Sequence, residues 1–334
     1  MSKVRLGLIG HGRLGSIHAE HIGQSEHMEL YAVCDNNPEA LAAAQQRYVT
    51  RTFSVVDDLL EQPIDGVVIA SNTQQHEVHI KAAAEAGKHI FTEKPIGLSM
   101  AASDVVLQAV KDAGVKFQIG FQRRWDPQFV AAKNAMHEGK IGVPVMFKAY
   151  GRDPNASNPA NWGLDKNGGL FLNAAIHDYD AALFLLEQEP LQTSATGAAL
   201  VHLGLKEHGD IDTCSTTLLL GNNTMAITEW SRFATYGYDV AAEVIGTEGI
   251  IRIHHGSANG TGLQKRDDAA PGVFDVFRNA YRAELDAFAC AIKDDFVPSP
   301  SVEDARLALH IALLSRQSYV EGRVLTIPKL APLK

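Results

Sequence analysis

The sequence predicts an α/β chain of two domains, an open parallel sheet built from βαβ units followed by an α+β domain on a mainly antiparallel sheet. Three observations predict it. Up to about Phe121, short β-branched runs alternate with helical stretches; the first run leads into a glycine-rich turn at Gly10; and beyond Thr193 several strand-like runs follow one another without helices between them.

In the first domain the strand candidates are Val4 to Ile9, Leu30 to Cys34, Gly66 to Ala70, His89 to Phe91 and Lys116 to Ile119. Helices are expected at Pro38 to Tyr48, Gln74 to Ala86 and Ser99 to Ala113, the last two stopped by Gly87 and Gly114. After Arg124 the pattern changes to a helix (Pro127 to Glu138), a strand (Val143 to Tyr150) and a Gly/Asn/Pro-rich loop from Gly151 to Gly169. A helix from about Leu170 to Glu187 precedes strands near Thr193 to His202, Thr213 to Leu220, Met225 to Arg232, Asp239 to Ile245 and Ile250 to His254. Two last helices, Phe274 to Ile292 and Val302 to Val320, carry apolar residues at helical spacing and must pack on one domain or the other. The expected division is 1–122 and 123–334.

Composition narrows the function. With 334 residues, 46% hydrophobic and 21% charged, the chain is long enough for two ordinary domains. Its net charge of -9 argues against a nucleic-acid partner, which needs a basic face. Cys34, Cys214 and Cys290 are far apart and form no CxxC pair, which suits a reducing compartment and gives neither a disulfide framework nor a zinc ribbon. No signal peptide or membrane span is expected, and the cytoplasm is the expected location. His202, His208 and the adjacent His254 and His255 lack ligand spacing, so no metal is expected.

Gly10-His11-Gly12-Arg13-Leu14-Gly15 matches G-x-G-x-x-G between a strand and a helix, the context that makes it a Rossmann-type dinucleotide turn. Gly10 serves the tight turn, Gly12 the close approach of a pyrophosphate and Gly15 the helix–strand contact, while the helix N-terminus offers amide donors. Asp35, about twenty residues on, suits the adenosine ribose hydroxyls. A 2′-phosphate would meet its charge, and Asn36-Asn37-Pro38 offers no arginine to neutralise it, so NAD is favoured over NADP.

Thr92-Glu93-Lys94-Pro95 lies at the carboxyl edge of the sheet, where open α/β sheets bind ligands. Lys94 there can reach the nicotinamide end and bond a substrate hydroxyl; the alternative reading is a solvated loop lysine paired with Glu93. Further on, Asn173, His177 and Asp180 share one face of the expected helix. A histidine suits removal of a hydroxyl proton, although a lone helical histidine is more often a satisfied structural residue.

Together these motifs resemble the glucose-fructose oxidoreductase, inositol dehydrogenase and MocA family, in particular its myo-inositol 2-dehydrogenase-like branch, over essentially the whole chain. The resemblance rests on Val4 to Gly15, Glu93-Lys94-Pro95, Gly120-Phe121-Gln122-Arg123-Arg124-Trp125-Asp126, Arg152-Asp153-Pro154, and Gly168-Gly169 leading to His177-Asp178-Tyr179-Asp180. It implies a Rossmann domain followed by a domain with a large open sheet whose exposed face makes homo-oligomers, often tetramers. It places the family's lysine on Lys94, a cis peptide at Lys94-Pro95 and the acid/base histidine on His177. Arg152, Asp153 and Tyr236 resemble substrate-side positions, and Ser71, Asn72, His76 and Gln122 further positions of the cofactor cleft. In one place the chain departs: the family's aspartate four residues before the histidine is here Asn173, which keeps the size but carries no charge.

The implied activity is NAD-dependent oxidation of a secondary hydroxyl of a cyclitol or sugar, with Lys94, His177 and Asn173 as the catalytic group. Two alternatives stand beside it. One is a binding or regulatory protein that keeps NAD and has lost turnover; the other is an NAD-assisted glycoside hydrolase, as the family also contains.

Overall fold

Residues 2–48, 50–154, 163–255 and 272–333 are described by the structure, a computed structural model. They form two compact units, one of 1–122, 279–306 and 331–334, the other of 123–278 and 307–330.

The first unit begins where the sequence predicts, with β1 (Val4–Ile9) feeding the glycine turn and α1 (Arg13–Gln24). There follow β2 (Met28–Cys34), α2 (Pro38–Tyr48), β3 (Arg51–Phe53), α3 (Val56–Leu60), β4 (Gly66–Ile69), α4 (Thr73–Glu85), β5 (His89–Glu93), α5 (Met100–Ala113) and β6 (Phe117–Gly120). Every strand pairs in parallel, in the order β3-β2-β1-β4-β5-β6, which reverses direction between β1 and β4. That is the doubly wound Rossmann order, and ligands bind such sheets at the reversal. Gly87 and Gly114 take positive φ behind α4 and α5, and the Ser99 hydroxyl accepts from the Ala102 amide to cap α5.

The second unit contains α6 (Pro127–His137), β7 (Pro144–Arg152), α7 (Leu164–Asn167), a wide helical turn over Phe171–Ala175, α8 (Ile176–Leu186), β8 (Pro190–Ala198), β9 (Thr213–Leu220), β10 (Met225–Ser231), β11 (Asp239–Gly246) and β12 (Ile250–His255). After α9 (Val273–Val276), α10 (Arg278–Lys293) and α11 (Val302–Glu321), the short β13 (Leu325–Thr326) completes a seven-stranded sheet, β12-β11-β7-β10-β9-β8-β13. Only β7 and β10 pair in parallel, so the sheet is mostly antiparallel, as the sequence predicts. Residues alternate across it. Cys214, Thr216, Leu218 and Leu220 of β9 are buried, with the Tyr179 hydroxyl of α8 at 2.9 Å from Thr216 Oγ1, whereas Thr213, Ser215, Thr217 and Leu219 are only half-buried.

Four expectations need correction. The chain does not stay in the second domain after residue 123: α10 returns to the first unit, where Leu285, Phe288 and Ala289 join Leu6, Leu8, Val33, Val68 and Phe91 in one core. The Phe288 ring alone is worth roughly 1.5–3 kcal/mol of burial, which decides where that apolar face goes. The helix from Leu170 to Glu187 opens into π geometry over Phe171–Ala175, so the i, i+4 spacing expected between Asn173 and His177 does not apply across it. The predicted helix Phe274 to Ile292 breaks at Phe277, whose ring is buried between Tyr238 and His255. The strand predicted to His202 stops at Ala198, because the amides of Leu200, Val201 and His202 donate to the Asp212 carboxylate instead of to a neighbouring strand.

No helix among the described residues is long and apolar enough to cross a membrane.

Candidate active site

In the first unit a cavity of about 490 Å3 opens at the carboxyl ends of β1, β2 and β4, lined by Gly10, Gly12, Asp35, Ser71 and Asn72 among others. Five predicted cofactor residues thus meet in one place. The backbone explains the glycines. Gly10 has φ +94°, and a Cβ there would lie 2.7 Å from the Ser71 backbone; a Cβ on Gly15 would collide with the Gly10 carbonyl oxygen. A Cβ on Gly12 would instead project into open space, with no atom within 4 Å. Gly12 is also the N-cap of α1 and supplies no side-chain acceptor, so the first amides of the helix await an outside one. Open space beside uncapped amides is what a pyrophosphate requires, and the residues present fit the dinucleotide.

Asp35 is held for its task. Its Oδ2 accepts from the His11 amide at 2.6 Å and its Oδ1 from the Asn37 amide at 2.8 Å, which leaves each oxygen lone pairs for a ribose hydroxyl. Sequence reasoning passed over His11, Gln75 and His79, which line the same cavity. Ser71 Oγ and His79 Nδ1 lie 2.9 Å apart, and burial pushes the His79 imidazole down to about 4, so at neutral pH an uncharged ring shares one hydrogen bond with the serine. His76, fully buried, ties the cleft together: Nε2 lies 3.0 Å from the Ser71 carbonyl and Nδ1 2.7 Å from the Pro95 carbonyl. Its proton affinity is lowered too, by burial before all else.

These lowered imidazoles give the first unit an acid weakness. A histidine whose folded pKa lies below its unfolded value contributes nothing to pH dependence above about 6.5 and costs stability as pH falls from there toward the folded value. Urea unfolding of wild type and His79→Gln at pH 7.5 and pH 5.0 should therefore show the variant gaining about 1 kcal/mol relative to wild type at the lower pH, a figure reduced because the residue is only half-buried. An unchanged difference would remove His79 as the cause.

Lys94 follows β5 directly, half-buried, and its peptide to Pro95 is cis, as expected. Glu93 is 5% exposed, its Oε1 at 2.8 Å from His18 Nε2, and Gln122 is 2% exposed. Arg13, Leu14, His76, Glu93, Lys94 and Gln122 do not line the cavity around Asp35.

In the second unit, Gly168 and Gly169 both take positive φ, and a Cβ on Gly169 would lie 2.7 Å from Asp210 Oδ1. That same oxygen accepts from the Leu170 amide at 2.9 Å, and Asp210 Oδ2 pairs with Arg232 at 2.8 Å. The helical segment bearing Asn173 is thereby anchored at its first amides. Next to His177, itself 8% exposed, the buried Asp178 carboxylate takes Arg123 on one oxygen and the Trp230 indole N–H on the other, and Asp180 receives Arg124 Nη2 at 2.7 Å. Asp210, Arg232 and Trp230 drew no notice in the sequence, since each finds its partner only across the sheet.

Arg152 and Tyr236 meet in a separate cavity of the second unit, about 450 Å3, which neither Asn173 nor His177 lines. Phe147, Ala149 and Gly151 of β7 face the buried side and Arg152 the other, where it pairs with Glu229 at 2.8 Å and stacks over Tyr150 at 4.8 Å. Asp153 follows β7, its amide bonded to the Ser231 carbonyl at 2.9 Å.

Residues 4–121 match the family model for the NAD-binding Rossmann fold of the Gfo/Idh/MocA oxidoreductases, and residues 129–252 match the model for the C-terminal domain of the same family. The inositol 2-dehydrogenase of Rhizobium meliloti (strain 1021) is 35% identical over 331 residues, covering 97% of this chain and 99% of that one. The chain belongs to the Gfo/Idh/MocA oxidoreductase family. Within it, the scyllo-inositol 2-dehydrogenase (NAD(+)) of Bacillus subtilis (strain 168) is also 35% identical, over 96% of this chain and 95% of its own. Among solved structures, scyllo-inositol dehydrogenase from Lactobacillus casei with bound NAD(H) and scyllo-inositol superposes with a TM-score of 0.87 at 30% identity, covering 98% of this chain and 99% of the other. The first unit is accordingly a Gfo/Idh/MocA cofactor domain, and its cofactor is NAD.

Proposed function

We propose that the chain is an NAD-dependent dehydrogenase that oxidises a secondary ring hydroxyl of an inositol or a related sugar to the ketone. The observation that carries this reading is the full-length similarity to inositol dehydrogenases in a chain that keeps both Lys94 and His177. NAD, when bound, supplies the acceptor for the hydride leaving the carbinol carbon. Gly12 and the open amides of α1 hold its pyrophosphate, Asp35 its adenosine ribose, and Ser71, Asn72, His76, Glu93 and Gln122 shape the rest of its cleft. The Lys94 ammonium donates to the substrate hydroxyl and favours its alkoxide character; His177 takes the hydroxyl proton; Asn173 holds a neighbouring hydroxyl. Asp153 and Tyr236 are assigned to the substrate side, and Arg152 stands behind them through Glu229. The half-buried face of the seven-stranded sheet is assigned to a homotetramer, and the three unpaired cysteines suit the cytoplasm.

The test is NADH formation across inositol isomers and aldoses. Turnover of at least one with NAD supports the proposal. A folded chain that binds NADH and turns over none overturns it, and release of free sugar from a chromogenic glycoside without NADH build-up would point to a hydrolase instead.

Asn173 favours one second reading, a chain that retains NAD and uses it for sensing. Asn173→Asp separates the two. A rise in kcat of tenfold or more marks a dehydrogenase running below its capacity, whereas silence in both forms favours the sensor.

A further inference from the structure

The core of the first unit contains a polar island of which the reaction above uses only Glu93, as part of the cofactor cleft. His18 on α1, Glu93 at the end of β5 and Glu284 on α10 are 0%, 5% and 0% exposed, and one ligand atom from each lies within 4.8 Å of the others. His18 Nε2 and Glu93 Oε1 are 2.8 Å apart. Both Glu284 oxygens and His18 Nδ1 are buried with no hydrogen-bond partner among the described residues. The walls are apolar: Phe91 and Tyr281 stand edge-on to the His18 ring at 5.6 and 6.0 Å. Room for Glu93 is made by Gly120, where a Cβ would come within 3.0 Å of Oε1. Gln118 Nε2 donates to the Glu284 carbonyl at 2.8 Å and fixes α10 at that residue.

Two carboxylates and one imidazole cannot all be ionised in such a place. The cluster would keep an unbalanced negative charge, each buried ion costs several kcal/mol, and like charges this close hold one proton between them. Glu93 has the imidazole; Glu284 has no cation among the described residues. Burial first, and then the charge of Glu93, push the Glu284 carboxyl well above the usual carboxylate range. The same three atoms could be imagined around a metal ion, but ligands about 2.0 Å from a tetrahedral zinc lie roughly 3.3 Å from one another. The 2.8 Å separation of His18 and Glu93 is that of a direct hydrogen bond.

We propose that His18, Glu93 and Glu284 form a buried positioning cluster in which Glu284 stays a neutral acid and thereby fixes the charge and place of Glu93, and with it the neighbouring Lys94. The functional half of this rests on Lys94 being the ligand of the substrate hydroxyl. The cluster ties three parts together: the helix whose N-terminus receives the pyrophosphate, the strand end that carries Lys94, and α10. Ionising Glu284 would set two carboxylates against each other at the residue that precedes Lys94 in the chain, so the active arrangement is lost as pH rises. The titratable groups facing Glu284 are His18 from α1 and Glu93 from β5; β6 presents the neutral Gln118, and Tyr281 lies one turn earlier on the same helix.

Four measurements on the full chain test this. Difference infrared spectra should show the carbonyl stretch of a buried carboxylic acid in wild type at pH 7.5, absent in Glu284→Gln. Metal analysis should find far less than one equivalent per chain. Trace acetylation of Lys94, read by peptide mass spectrometry, should run alike in wild type and Glu284→Gln and change at least threefold in Glu284→Ala. With a turned-over inositol, kcat should fall tenfold or more in Glu284→Ala with the NADH Kd within threefold, Glu284→Gln should rescue most of that loss, and the alkaline decline of wild-type kcat should be missing in the Gln variant. Should Glu284→Ala fail to fold, His18→Gln takes its place. The proposal is overturned by a missing infrared band, by a stoichiometric metal lost in Glu284→Gln, or by Lys94 reactivity that is the same in all variants. If the band and the reactivity pattern hold while no polyol is oxidised, the cluster stands and the dehydrogenase reading fails.

Discussion

Replacing His177 with asparagine is expected to lower kcat for NAD-dependent oxidation of an inositol by about 10³-fold, in the middle of the range for losing a general base. NADH binding, measured by fluorescence, should stay within twofold of wild type, because the residues that line the cavity around Asp35 belong to the first unit. The packing of this helical segment depends on its neighbours, on Asp178 with Arg123 and Trp230, on Asp180 with Arg124 and on the Leu170 amide with Asp210, and none of these pairs involves the imidazole. An Asn variant with more than a tenth of wild-type kcat would show that some other group takes the proton.

Asp35→Ser should exchange one cofactor for the other. A hydrogen bond to a charged group is worth about 1.5–3 kcal/mol, so kcat/KM with NAD should fall between about 10- and 150-fold. With NADP it should rise, since the charge that repels a 2′-phosphate is gone and the amides of His11 and Asn37, released from the carboxylate, become donors for it. Steady-state kinetics with both cofactors decide the matter. A variant equally impaired with each would mean that Asp35 organises the turn between β2 and α2 without choosing the ribose.

How far the sequence could be read depended on the length scale of each signal. Val4–Ile9 and Pro38–Tyr48 are recovered with their observed limits, one an apolar run broken by Arg5 and followed by a glycine turn, the other a proline-led helix. Arg51–Phe53 and Val56–Leu60 went unseen, because three residues are too few to alternate and five too few to show a helical period. The wide turn at Phe171–Ala175 is silent for a different reason: the same apolar residues satisfy an i→i−4 or an i→i−5 ladder, and the choice is made by what surrounds them. The cofactor glycines and Asp35 were legible since their chemistry is local to one βαβ unit. The ion pairs that brace the His177 helix were not, as Arg123 and Asp178 are 55 residues apart and Trp230 is another 52 beyond. Glu284 is the extreme case, a partner of residues near the start of the chain that arrives by way of a helix whose docking site the sequence did not reveal.

That returning helix also fixes an order of events in biosynthesis. When residue 122 leaves the ribosome all six strands of the NAD-binding sheet have been made, yet the wall that Leu285, Phe288 and Ala289 will cover is still bare. The cofactor domain must wait, with Leu8 and Phe91 lacking their final cover, until the whole of the other sheet except its last short strand has been translated. A fragment cut at residue 122 would inherit that bare wall for good, and the natural unit for expression, transplantation or deletion is the entire chain.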